Sequence, residues 1–297
     1  MNIGNRNTGR ENFFMGKRLR IAVFIVFFIG IVLTAFRYFK FVSKTVYEES
    51  ASHLTEVFHQ SNNVLNELAN KNLTYLHMWG EYLQKTSDES EIRDYVDKAQ
   101  DEAGFLYFYF LSADGNYKML TGEAGYLGLQ ENLEDKITLG EDIITNAVVP
   151  GKQQMLVFAS PQSHGSYQGF EYDAIAIAYE NADIVDVLDI SAFNGNAKSY
   201  VVHPDGRVVI DHSFEAWGTV YNFFGVLREH SNISEKEILE LSEKFKERRT
   251  DTMLVNLDGS NYYLVYGSSE CSFPKTLISF WICSTVMPSS FSTLGLT

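Results

Sequence analysis

From Ile21 to Phe36 the chain reads IAVFIVFFIGIVLTAF, an uncharged run that continues past Arg37 into Tyr38 and Phe39. Lengthened by Leu19 and by snorkelling of Arg20, Arg37 and Lys40, it predicts a membrane-spanning helix over 21–39. No proline occurs in the next segment, 43–86, where Leu54, Val57, Val64, Leu68, Tyr75, Trp79 and Tyr82 recur at a helical period. This predicts a long stalk helix whose lower half is polar enough to stand in water or to pair with a copy of itself as a homodimer, while its aromatic upper half, Tyr75 to Leu83, packs on a domain. An ordinary amphipathic helix with no dimer seam fits the same spacing.

The period then changes from helical to alternating. FLYFYFLSADGNYKML, Phe105 to Leu120, predicts two strands joined at Asp114-Gly115, a pair suited to a type I′ turn because glycine takes positive φ freely and aspartate tolerates it. Residues 121–152 are punctuated by glycine and mixed in character. QQMLVFAS (Gln153–Ser160) and YDAIAIAY (Tyr172–Tyr179) predict a second strand pair across a long loop holding Pro161, Gly165 and Gly169. The same order recurs downstream. SYVVHPDGRVVIDH (Ser199–His212) predicts a hairpin turning at Asp205-Gly206, and TMLVNLDGSNYYLVY (Thr252–Tyr266) one turning at Asp258-Gly259. Between them Ser234 and Glu237 stand at capping-box spacing and predict a helix from Glu235 to Arg248. The fold class this implies is α+β: two N-terminal helices, then two antiparallel sheet modules over 87–188 and 189–266.

Charge adds orientation to that outline. Seven basic residues and one acidic residue within 1–40 give +6, so the remaining chain carries −20 of the net −14. An acidic body repels phosphate backbones, which argues against nucleic acid as a partner. The +4 over residues 1–20 keeps that end cytosolic and sends the body across the membrane. The apolar run ends in Phe36, Arg37, Tyr38 and Phe39 rather than in a small-x-small site, so a retained anchor is expected over a cleaved signal peptide. The two cysteines, Cys271 and Cys283, can pair or stay as thiols, and they build no disulfide framework.

Candidate chemistry is sparse. His203, Asp205, Asp211 and His212 have metal-ligand side chains, but a two-residue turn would separate the two histidines by roughly 14 Å, and both read as edge or turn residues. His53, His59, His77, His164 and His230 show no ligand spacing. No phosphate-binding glycine loop, nucleophile elbow or zinc-protease motif occurs, so neither catalysis, cofactor nor metal is expected. A binding surface is better supported. One face of the Tyr172 strand carries Ala174, Ala176 and Ala178, which leaves room for a closely packed helix backbone or for a small molecule. Tyr107, Tyr109, Tyr126 and Tyr172 could offer hydroxyls to such a ligand, and Asp173 could meet a cationic group.

LDISAFNGNAKSYVVHPDGRVVIDH (Leu188–His212) and TMLVNLDGSNYYLVY, set behind an anchor and a stalk helix, resemble the entry and closing hairpins of double Cache sensor regions in bacterial transmembrane receptors. The resemblance spans about Arg18 to Tyr266. It implies PAS-like modules, a small ligand in the membrane-distal one, and full-length relatives that return through the membrane to a cytosolic diguanylate cyclase, histidine kinase or chemotaxis domain. The Arg-x-Trp-Tyr-like signature of amino-acid-binding members is absent. The resemblance also implies a last strand containing a tryptophan after Tyr266. Residues 267–297 instead hold eight serines, both cysteines and two prolines, and are expected to be an atypical tail, left by frameshift or truncation or forming part of a second span. The expected function is a membrane-anchored extracytoplasmic small-ligand sensor lacking its output domain. A surface-anchored substrate-binding protein or hydrolase is the alternative.

Overall fold

The computed structural model describes residues 8–86, 88–129, 132–148, 154–188, 197–211, 220–247, 249–268 and 278–284. The chain divides into two compact units between His53 and Leu54. In the first, helix α1 (Thr8–Leu83) carries the apolar run, and every large apolar side chain from Val23 to Leu33 is exposed. Among the described residues this is one helix long and apolar enough to cross a membrane.

The second unit begins with the rest of α1 and continues through α2 (Glu89–Ala103), which Asp88 caps by accepting from the Ser90 and Glu91 amides. A seven-stranded antiparallel sheet follows, built from β1 (Tyr107–Leu111), β2 (Asn116–Met119), β3 (Ala124–Tyr126), β4 (Gly128–Leu129), β5 (Ile143–Val148), β6 (Gln154–Tyr167) and β7 (Phe170–Glu180) in the order β3-β2-β1-β7-β6-β5-β4. The short helix α3 (Leu133–Leu139) lies between β4 and β5, and α4 (Asn181–Leu188) follows β7. The second sheet has five strands. They are β8 (Ala197–Val202), β9 (Val208–Asp211), β10 (Asp251–Leu257), β11 (Ser260–Ser268) and β12 (Ile278–Ser284), in the order β10-β11-β12-β8-β9. Helices α5 (Phe223–His230) and α6 (Glu235–Lys246) pack on it through Phe223, Phe224, Leu227, Ile238, Leu241 and Phe245. The predicted capping box is present: Ser234 accepts from the Glu237 amide, and the Glu237 carboxylate accepts from the Ser234 amide. The architecture is α+β with two antiparallel sheets.

Four expectations need correction. First, the stalk is covered from Leu54 upward, which takes in much of its lower half. From Leu54 onward α1 buries Leu54, Phe58, Leu65, Ala69, Leu73, Leu76, Trp79 and Leu83. This strip also takes in Ser61, Asn62 and Asn72, whose polarity concealed it from a hydrophobic count. Val64, Leu68, Tyr75 and Tyr82 flank the strip and are only partly buried.

Second, β6 and β7 form one long hairpin rather than two strands across a loop. Its turn is Gln168-Gly169, with φ of 49° and 72°, and a bulge between Pro161 and Gly165 absorbs the proline. Third, of the three Asp-Gly turns only Asp258-Gly259 has both residues at positive φ, 50° and 81°. At Asp205-Gly206 the Gly206 amide donates to His203 O, the His203 amide donates to Arg207 O, and Val202 faces Val208, so the loop is one residue longer at its tip than a two-residue turn. Beyond a bulge the expected register returns, with Tyr200 against Asp211. His203 closes that turn, as expected of an edge or turn residue, and is buried there; His212 lies outside the described residues.

Fourth, the second sheet does not stop at Tyr266. Ile278–Ser284 form β12 between β11 and β8, with Trp281 opposite Val265 on one side and Ser199 on the other. Alternating Ile278, Phe280 and Ile282 suit a central strand, and the described part of the segment is strand rather than a spanning helix. Cys271 lies outside the described residues.

Candidate functional site

The faces of the seven-stranded sheet differ in what covers them. One face carries Phe108, Phe110, Phe158, Ile175 and Ile177 and packs against α1 and α2. The other carries the alanines. Across β1, β7, β6 and β5 one row reads Tyr109, Ala176, Ala159, Ile143, and the next reads Tyr107, Ala178, Val157, Thr145. Ala174 and Ala147 extend the same surface, and all five alanines are fully buried. Neither α1 nor α2 lies on this side. Its cover is Leu127, Leu133 and Ile137, contributed by the β3–β4 connection and α3.

A floor of methyl groups beneath a ring of hydroxyls can seat a small polar molecule, because alanine gives up volume without adding a competing polar atom. The hydroxyl-bearing side chains on this face are Tyr107, Tyr109, Tyr117 and Thr145. The Tyr109 ring stands 4.9 Å from Tyr117 in a T-shaped contact and 5.9 Å from Tyr107. Burial, and then the neighbouring Tyr117, Tyr107 and Glu123, push the Tyr109 phenol well above its ordinary range, so it stays a neutral donor at any physiological pH. Gly125 lets the Tyr117 phenol lie across β3, since a Cβ there would meet its hydroxyl at 3.0 Å.

The structure brings Tyr107 and Tyr109 together on the alanine face. It places the other three named residues elsewhere. Tyr126 sits on edge strand β3 with 63% of its surface exposed. Tyr172 is buried against Phe110 with ring centres 4.9 Å apart, on the side that α1 covers, and burial raises its phenol pKa. Tyr172 lies in the outer part of the hairpin, beyond the bulge between Pro161 and Gly165. Asp173 accepts from the Ala113 amide at 3.1 Å and from His164 Nδ1 at 2.9 Å, which joins the hairpin to the β1–β2 loop. Tyr117 and Thr145 were missed. Alternation from Met119 would have found Tyr117, whereas Thr145 lies in a segment that carried no strand signal. Among the described residues no cluster of three His, Cys, Asp or Glu could hold a metal ion.

No family model and no curated protein matches the sequence. Solved structures do. The ligand-binding domain of the Pseudomonas aeruginosa PAO1 amino acid chemoreceptor PctB, in complex with L-Gln, shares 13% identity at a TM-score of 0.56, covering 81% of this chain and 96% of its own. The extracellular domain of the histidine kinase mmHK1S-Z3 shares 11% at 0.56, over 82% and 95%. The ligand-binding domain of the Pseudomonas fluorescens chemoreceptor CtaA, in complex with L-alanine, shares 10% at 0.53, over 80% and 97%. The chain has the Cache-type fold, shared by these chemoreceptor ligand-binding domains and this histidine kinase extracellular domain.

Proposed function

We propose that this protein is a membrane-anchored sensor module that binds a small molecule on the alanine face of its seven-stranded sheet. The observation that carries the reading is the row Tyr109, Ala176, Ala159 with Tyr107, Tyr117 and Thr145 around it: a surface of buried methyl groups and hydroxyl-bearing side chains on the side away from α1 and α2. Domains of this fold that bind L-Gln or L-alanine support it. The apolar run of α1 and the basic residues ahead of it support an anchor with its N-terminus cytosolic and the body outside. The modules proposed are 87–188 as the membrane-distal ligand-binding unit and a membrane-proximal unit that extends from 189 to β12. The protein itself carries out no catalysis, and output requires a partner or a domain beyond this sequence.

The test is thermal unfolding of the whole chain in detergent against amino acids, organic acids, polyamines and purines. A ligand at a hundred times its Kd adds about 2.7 kcal/mol of stability. The reading expects one chemical class to raise Tm and Ala176→Leu to abolish that rise. A rise that survives the substitution places the ligand elsewhere, and turnover of any compound overturns the non-catalytic assignment.

A further inference from the structure

The two sheets are tied at β9 by a pair of asparagine side chains. Asn146, in the middle of β5 and completely buried, donates from Nδ2 to the carbonyl of Val208 at 2.9 Å. Asn181, the residue directly after β7, donates from Nδ2 to the carbonyl of Asp211 at 3.1 Å. Val208 and Asp211 are the first and last residues of β9. Both ends of one four-residue strand of the second sheet are therefore held, one by β5 and the other by the first residue of α4, directly after β7; β5 and β7 flank β6 in the first sheet.

The Val208 tie sits where β9 is irregularly paired with its own sheet. The pairing of β8 with β9 slips between Val201 and Val202, so Val209 is the extra residue of a bulge. The Val208 amide donates to Tyr221 O at 3.0 Å, outside the β8–β9 ladder. Between the two tied ends, Val209 and Ile210 are buried in the same core as Ile175, Ile177 and the α1 residues Leu65 to Leu83. Both asparagines also leave the side-chain oxygen buried without a donor among the described residues. An unpaired buried carbonyl costs stability, so these amides are poor choices if filling space were their only use. A directed N–H is what they supply.

We propose that Asn146 and Asn181 form a two-point clasp that makes β9 the receiving strand of the protein: displacement of β5 or β7 is passed to the second sheet at the β8–β9 bulge. Thr145 and Ala147, the neighbours of Asn146, face the alanine surface, so one short segment presents the floor on one side and the clasp on the other. That the displacement originates in ligand binding rests on the function proposed above; the clasp itself does not.

Amide hydrogen exchange of the whole chain in detergent, without any ligand, separates the two ideas. Asn146→Leu and Asn181→Leu keep the volume and remove the donor. The clasp predicts that each substitution lowers protection of the β8 and β9 amides by about tenfold, while β1, β6 and β7 keep theirs. The double variant should then let the two sheets open separately. Asn72→Leu is the control, since it removes a buried amide whose oxygen accepts from Tyr179 OH at 2.8 Å instead of one that donates to β9; it should leave β9 no more affected than β1 and β7. Unchanged protection at β8–β9, or an equal fall in every strand, overturns the clasp. Should Asn146→Leu fail to fold, Asn181→Ser at the partly buried end reads the same strand. Failure to find a ligand leaves this measurement intact, and loss of the clasp leaves a binding site measurable.

Discussion

Ala176→Leu distinguishes a ligand site from an ordinary packed core by the sign of its effect on the ligand-free protein. The residue is fully buried and lies between Tyr109 and Ala159 in one row of the sheet. Leucine adds three carbons above that floor. If the face holds space for a small molecule, the new side chain fills it, gaining about 0.8 kcal/mol per carbon. Fixing its rotamer returns about 0.5–1 kcal/mol. The net gain of about 1.5 kcal/mol should raise Tm by about 3–6 °C for a body of this size. If Leu127, Leu133 and Tyr117 already close over the alanines at core density, the same carbons cost about 1–3 kcal/mol through displaced neighbours. Melting curves by far-UV circular dichroism in detergent decide between the two. A fall in Tm of several degrees refutes the ligand site, because it shows the methyl floor to be fully packed.

Two further outcomes test the surrounding scaffold. Gly267→Ala should lower stability by about 1–3 kcal/mol in denaturant titration, because the added Cβ would meet Phe58 Cζ of α1 at 2.8 Å and Thr250 Oγ1 at 2.6 Å; an unchanged midpoint would show that α1 does not rest against β11 there. His164 donates from Nδ1 to Asp173 and from Nε2 to Glu171, each at 2.9 Å, an arrangement that needs both ring nitrogens protonated; the Asp173 hydrogen bond raises its pKa above 6.5, so its contribution is complete below the unfolded pKa and is lost as pH rises through the folded one, and His164→Gln should flatten the pH dependence of stability above about pH 6.5.

Much of this architecture can be read from residue order. Alternation over Phe105–Leu111 and Tyr172–Tyr179 locates the two central strands of the first sheet, and the run of alternate alanines marks the face that α1 leaves uncovered. Ser234 and Glu237 mark the start of α6 because both groups of a capping box lie within one turn. What stayed hidden depends on partners distant in sequence. Asn72 reads as solvent-facing until Tyr179, on β7, donates to it; burial pushes that phenol's pKa up to about 12. Tyr172, beyond the bulge of the β6–β7 hairpin, packs with Phe110 rather than with the alanines, which a count along its own strand does not show. β12 was concealed by the serines, prolines and cysteines around it, although seven residues are enough when both neighbouring strands are already in place. Within the candidate site, Tyr107 and Tyr109 follow from alternation, whereas Thr145 follows only from the position of β5 beside β6.

The interior position of β12 bears on how the protein can be shortened and how it matures. The first sheet is complete once Glu180 has been made, because all seven of its strands lie between Tyr107 and that residue. The second cannot close until Ser284 has left the ribosome, since β8 and β11 meet only through β12. Until then each presents a bare row of backbone donors and acceptors, the kind of edge that recruits other chains. A protein ended at Tyr266 would carry those two open edges permanently. It should be handled as a source of aggregates, and recombinant versions are better extended at least through Ser284.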